Sequence, residues 1–206
     1  IVVPKGENDW RVCYNGNPVK MIEERPQPCT LDSLSSALSF IRKGDLLSKV
    51  DDKSGFHQLL LDPFSRNLAF CEYGGQLFRY RAAAFGFPKI PGIYQLVNGV
   101  PLNFLRRAGH QAFLYLDDRL FITRPRDEQE AKKLMSGEIA PEGPVLAALA
   151  MTACGTFLNR AKSTFLPAEK IEYLGFNLEV HPFSLTQISA WPDRLDRVGH
   201  LAATAA

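Results

Sequence analysis

The chain has 206 residues, 46% hydrophobic and 22% charged, enough to bury a core as one domain or two small lobes. Lys plus Arg total 24 against 22 Asp plus Glu, so a net charge of +2 does not by itself argue for nucleic-acid binding; a basic patch must come from local clustering. Four scattered cysteines with no C-x-x-C pair, and four histidines without ligand spacing, argue against a disulfide framework and a structural zinc site. This usage fits an intracellular setting, cytoplasmic or nuclear, and no apolar run reaches membrane-spanning length. The start at Ile1 and the Ala-rich end read as a piece of a longer chain.

In chain order, IVVPKGENDWRVCY reads as strand, polar turn and strand. After Pro26 and Pro28, Thr30 or Asp32 is placed to cap a helix over about 31–44, with Gly44 as its stop. LLSKVD is strand-like. RNLAFCEYGGQLFRY predicts a hairpin around Gly74-Gly75. A helix is expected from near Pro91, its apolar face formed by Ile93, Leu96, Val97 and Val100, with Pro101 kinking it or starting a second segment. FLYLDDRLFI predicts strand, turn and strand around Asp117-Asp118. RDEQEAKKLMSG and VLAALAMTACGTFL read as helices, and IEYLGFNLEV as the first member of a strand pair. Strands interleaved with helices and joined by hairpins predict an α+β fold, a mostly antiparallel sheet covered by helices.

Two adjacent aspartates inside an apolar run pose a question, because like charges repel and a buried carboxylate needs a partner. Asp117 and Asp118 either face water in a hairpin turn or hold a cation together with a third carboxylate. Asp51, at the end of the LLSKVD strand, is available as that third group. Two divalent ions about 3.5–4 Å apart, bridged by such carboxylates, clamp the attacking and leaving oxygens of a phosphoryl transfer.

The ordered set V-D-D-K-S-G-F-H-Q, A-F-G-F-P-K-I-P-G-I-Y-Q, Y-L-D-D, L-N-R-A-K-S and Y-L-G-F resembles the palm of a reverse transcriptase, from Lys5 to about Val180. D-D-K-S-G with Y-L-D-D-R is most similar to retrotransposon enzymes, and suggests the DIRS group. The resemblance implies a right-hand polymerase palm with partial fingers and no thumb. It divides the chain into 1–48 (part of the fingers), 49–180 (palm, with an interleaved fingers segment at about 62–90) and 181–206 (start of a connection toward the missing thumb). It implies an RNA-directed DNA polymerase that transfers a nucleotide from a dNTP to a primer 3′-OH. The implied partners are an RNA or DNA template-primer and the remainder of a larger polyprotein, and the implied cofactor is two Mg²⁺ ions, with Mn²⁺ as the substitute.

By the same resemblance, Asp51, Asp117 and Asp118 are metal ligands, and Lys162 protonates the leaving pyrophosphate. Asp52 follows the first ligand and contributes backbone. Phe56 closes the sugar pocket, where a ring would clash with a ribose 2′-OH. Tyr115 packs near the primer end, and Phe85, Gly86 and Pro91 line the nucleotide side. Lys5 and Arg11 grip the triphosphate, while Tyr173, Leu174 and Gly175 position the primer. Read without the resemblance, Phe56 is also an ordinary core residue, Lys5, Arg11 and Lys162 are solvated charges, and Gly86 is a turn residue at a close backbone approach. Lys53, Arg79, Arg81 and Lys89 are candidate phosphate contacts with the same alternative. Asn15 and Asn17 stand where relatives often carry an acidic residue and an arginine, so the finger support is rearranged. Two rival readings stay open: a catalytically silent, polymerase-like nucleic-acid-binding or scaffolding module, and an RNA-dependent RNA polymerase, against which Phe56 argues.

Overall fold

The computed structural model describes residues 2–4, 10–16, 29–180 and 187–190. In chain order the elements are β1 (Val2–Pro4), β2 (Trp10–Val12), α1 (Leu34–Leu38), β3 (Leu46–Asp51), β4 (Phe70–Tyr73), β5 (Gln76–Arg79) and α2 (Ile90–Arg107). They continue with β6 (Gln111–Tyr115), β7 (Asp118–Thr123), α3 (Glu128–Ser136), α4 (Glu142–Ala153), β8 (Thr164–Ala168), β9 (Lys170–Tyr173), β10 (Phe176–Glu179) and β11 (Gln187–Ala190). Two compact units result: Ile1–Thr30 with Ser54–Val97, and Leu31–Lys53 with Asn98–Ala206. No described helix is long and apolar enough to cross a membrane.

The second unit is built on a four-stranded antiparallel sheet in the order β6-β7-β3-β8. Side chains alternate across a strand, so each strand serves two faces. On one face Leu47, Phe113, Leu120 and Ile122 pack with Ala37 of α1 and with Ile171, Tyr173 and Leu178 of the β9–β10 hairpin. On the other, Val50, Ala112, Leu114 and Phe121 pack with Leu102 and Leu105 of α2 and Ala147 of α4. The first unit buries Phe56, Ala83, Ala84, Phe87 and Tyr94 around Tyr14, whose ring stacks on Phe87 at 4.4 Å. Its β4–β5 hairpin turns at Gly74 and Gly75, both with positive φ, the glycine-favouring geometry of a two-residue hairpin.

Several elements differ from expectation. The helix expected over 31–44 is only Leu34–Leu38, capped by Ser33, whose side chain accepts from the Ser36 N–H at 3.0 Å. Asp32 is not the cap, because its carboxylate accepts the Leu114 N–H at 2.6 Å and pairs with Arg106. The serine run also turns hydrogen bonds back on the backbone, as Ser39 Oγ does to the Ser36 carbonyl at 2.8 Å. Gly44 lies beyond the helix in a turn with φ +80°. IEYLGFNLEV contains both members of a hairpin, β9 and β10.

The α2 helix runs through Pro101 as one element. The apolar face expected for it points outward: Ile93, Leu96, Val97 and Val100 are 44–68% exposed. The packed face carries Tyr94, Gln95, Asn98, Leu102 and Leu105 instead. Its two buried amides are compensated by hydrogen bonds, Gln95 to the Thr30 carbonyl and Asn98 from Arg119. Hydrophobic periodicity therefore located the helix but named the wrong face.

Candidate active site

The site grows from the pairing of β3 with β7. Their register sets Asp51 directly opposite Asp118, and β6 sets Tyr115 opposite Asp118 from the other side. Asp117 lies in the two-residue turn between Tyr115 and Asp118. Leu116, the first turn residue, has φ +57°, a conformation that favours glycine. The facing β9–β10 hairpin repeats the device, with Leu174 at φ +52° beside Gly175 at φ +80°. Two non-glycine residues in the left-handed region therefore stand at the two hairpin tips that line one cleft, and backbone strain of this kind gathers at functional sites.

That cleft has a volume of about 930 Å³ and is lined by Asp51, Asp117, Asp118, Lys49, Lys162 and Tyr115, among others. The loop after α4 supports it. Ser163 Oγ accepts the Asp51 N–H at 3.0 Å and donates to the Asn159 carbonyl at 2.8 Å. The Asn159 N–H in turn donates to the Asp51 carbonyl at 2.8 Å. Burial pushes the Asp118 carboxyl up to about 6, with the charges of Asp117 and Asp51 adding to the effect and Lys49 and Lys162 opposing it. Asp51 is raised too, first by burial and then by Asp117, against the pull of Lys162, an Asn159 hydrogen bond and Lys49. Burial first, and neighbouring carboxylates second, thus make Asp51 and Asp118 harder to ionise.

The aspartate that follows Asp51 behaves differently. Asp52 turns to the opposite face of the sheet, where its carboxylate is fully buried against Arg119. Its side chain does not line the cleft. Arg119, Asn98, Lys49, Asn159 and Ser163 were missed by the sequence reading. One signal for Arg119 was present: alternation along DRLFIT puts a charge at a core position.

The other residues singled out from sequence lie as follows. Lys162, Tyr115, Leu174 and Gly175 join the three aspartates at the cleft. Tyr173 is buried in the core beside it, its hydroxyl without a hydrogen-bond partner and its ionisation pushed up, chiefly by burial. Phe56 is buried between Phe85 (4.9 Å) and Tyr94 (5.3 Å) in the first unit. The Arg11 guanidinium sits 4.4 Å over the Phe85 ring, a cation–π contact. Gly86 has φ +102°, and a Cβ there would meet the Tyr14 carbonyl oxygen at 1.8 Å, so the close approach is to the chain's own backbone. Lys5 and Asn17 lie outside the described residues.

The model of the family described as reverse transcriptase (RNA-dependent DNA polymerase) matches residues 4–178. The chain belongs to the reverse transcriptase family. The enzymatic polyprotein of Cestrum yellow leaf curling virus is 26% identical to this reverse transcriptase chain over 176 residues, 81% of the chain and 25% of the polyprotein. That of Figwort mosaic virus (strain DxS) is 28% identical over 179 residues, 83% of the chain and 24% of the polyprotein. The chain thus spans about a quarter of these curated relatives. Among solved structures, the foamy viral protease-reverse transcriptase in complex with double-stranded DNA superposes with TM-score 0.72 at 17% identity, over 97% of this chain and 38% of that one. The same viral enzyme with an RNA/DNA hybrid gives 0.67 at 18% identity, over 95% and 23%. These likenesses establish the α+β palm-type fold expected from the sequence.

Proposed function

We propose that this chain is the nucleotidyl-transfer part of an RNA-directed DNA polymerase. The observation that carries the reading is the register pair Asp51–Asp118, with Asp117 in the adjoining turn and all three carboxylates on one open cleft. Among the described residues, no group of Asp, Glu, His or Cys side chains is drawn together into a ready metal cage. The donor chemistry nevertheless fits a hard divalent cation. The ligands are carboxylate oxygens, the cleft has room for water and phosphates, and the carboxylates repel one another in a way a cation relieves. Asp51, Asp117 and Asp118 would hold two Mg²⁺ ions, or Mn²⁺ in their place. When bound, such ions acidify a primer 3′-OH and offset charge on the phosphate oxygens.

The reaction is attack of the primer 3′-oxygen on the α-phosphorus of a dNTP. A new P–O bond forms, the bond to the β-phosphate bridging oxygen breaks, and pyrophosphate leaves. Lys162 is placed at the cleft to give a proton to that leaving group, and Lys49 adds positive charge beside it. Tyr115 supports the primer end. The role of Phe56 in excluding a 2′-OH rests on the family resemblance, and its ring is held by Phe85 and Tyr94. Template-primer binding rests on phosphate contacts and shape, and weakens as salt rises. The retrotransposon assignment, with its DIRS-type subgroup, is supported by D-D-K-S-G and Y-L-D-D-R alone. The intracellular setting is supported by four free cysteines.

Primer extension on an RNA template with Mg²⁺ and dNTPs tests the reading, using the unaltered chain beside Asp117→Ala/Asp118→Ala. Extension by the unaltered chain only supports it. Binding of template-primer without extension by either moves the assignment to a silent binding module. Phe56→Ala is expected to raise ribonucleotide incorporation by roughly tenfold or more and to lower stability by about 3 kcal/mol. Unchanged sugar choice in a folded variant would remove that role.

A further inference from the structure

A buried ion pair lies directly behind the carboxylate cleft. Asp52 follows Asp51 just past the end of β3, and Arg119 follows Asp118 on β7. Arg119 Nη1 donates to Asp52 Oδ1 at 2.7 Å and Nη2 to Oδ2 at 2.9 Å, with both side chains 0% exposed. Nη2 also donates to Asn98 Oδ1 on α2 at 2.6 Å, and Nη1 stands 3.5 Å from the Asp117 carbonyl oxygen. One guanidinium therefore links the segment that follows Asp51, the backbone of Asp117 and a helix of the core.

The other end of the same β3–β7 ladder carries a matching fork. Arg124 Nε and Nη2 each donate to Asp45 at 2.8 Å, just beyond the Leu46–Thr123 pair. Arg124 is 43% exposed and six register pairs from the carboxylates. The two forks are chemically alike, but only one touches the site.

Stability alone does not explain the inner fork. A buried ion pair is often matched or bettered by apolar side chains of similar volume. Arg119 Nε is moreover buried without a partner, which costs stability. What a bidentate fork supplies is direction: it fixes two strand ends to within hydrogen-bond geometry, which non-directional packing does not.

We propose that Asp52, Arg119 and Asn98 form a positioning device that holds Asp51, Asp117 and Asp118 in register for cation binding. This rests on the metal reading above. The test uses Mn²⁺ alone as the probe, its binding to the full chain followed by electron paramagnetic resonance, with thermal melts in parallel. Asp52→Asn is expected to weaken Mn²⁺ binding about 10–100-fold, the scale for groups that orient metal ligands. Asp45→Asn, which breaks the outer fork, is expected to lower the melting temperature yet keep Mn²⁺ affinity within about twofold. Arg119→Lys keeps the charge but not the fork, and Asn98→Ala keeps the pair but frees it from the helix. Both are expected to weaken Mn²⁺ binding, and they carry the test if Asp52→Asn does not fold. Mn²⁺ affinity that survives in folded Asp52→Asn, Arg119→Lys and Asn98→Ala overturns the proposal alone. So does an equal loss in Asp45→Asn. No Mn²⁺ binding by the unaltered chain overturns the metal reading, and this proposal with it.

Discussion

Asp118→Asn is expected to lower primer extension on the order of 10³-fold while making the ion-free chain more stable at neutral pH. The first effect follows from removing one of three carboxylates that together hold the cations. The second follows from its raised pKa. Asp118 titrates at about 6 in the folded chain against an ordinary value of 3.8, so the folded state binds its proton more tightly than the unfolded state does. That contribution to stability is fully present below the ordinary carboxylate range and is lost as pH rises through about 6. Without divalent ions, the unaltered chain should therefore melt higher at pH 5 than at pH 7.5 through this group, and Asp51 acts in the same direction. Asparagine carries no charge to desolvate, so the variant should lose most of that pH dependence. Discounted for partial exposure, the gain at pH 7.5 is about 1–2 kcal/mol, or a few degrees in melting temperature. Melts in EDTA at the two pH values check the sign. Added Mn²⁺ should then raise the melting temperature of the unaltered chain and not of the variant. Equal melting of both proteins at pH 7.5 in EDTA would show that Asp118 is not strained by its neighbours.

Arg119→Leu is expected to be the most damaging single change to folding. It leaves the Asp52 carboxylate at 0% exposure with its counter-charge gone. Breaking a buried pair from one side costs about 3–5 kcal/mol, which for a chain of this size lowers the melting temperature by roughly 10 °C. The Asn98 amide also loses the 2.6 Å bond from Arg119. The double variant Asp52→Val/Arg119→Leu removes both charges and should regain most of the lost stability. Urea unfolding of the two variants measures this directly. A single-variant cost under about 1 kcal/mol would mean that water reaches the pair. Stability regained without Mn²⁺ affinity would separate the folding role of this pair from its positioning role.

The chain's local instructions were readable. LLSKVD and FLYLDDRLFI are short apolar runs that end at polar turns, and they became β3 and the β6–β7 hairpin. Gly74-Gly75 supplied the positive φ that its hairpin needs. Resemblance brought Asp51, Asp117, Asp118, Lys162 and the Y-L-G-F turn to attention together, and the structure sets the four and Leu174, Gly175 and Phe176 of the turn around one cleft. Alternation along a strand also dictates that Asp51 and Asp52 point to opposite faces. None of this says which face is open. That depends on what covers the sheet: α2 and α4 bury the side of Asp52, and the cleft lies on the side of Asp51.

The same limit explains α2. Its outward stripe of Ile93, Leu96, Val97 and Val100 is more apolar than the face it buries. Asn98 is buried because Arg119, distant in sequence, donates to it, and Gln95 because the Thr30 carbonyl accepts from it. Asp32 was lost as a helix cap for a like reason, since Leu114 and Arg106 claimed its carboxylate. Sequence alone determined most strands and turns, because periodicity and turn chemistry act over a few neighbouring residues, and the family resemblance, not periodicity, singled out the carboxylates that share the cleft. Only the tertiary structure decided which charges are buried and with whom, because a buried polar group is stabilised by partners that the chain brings from far away.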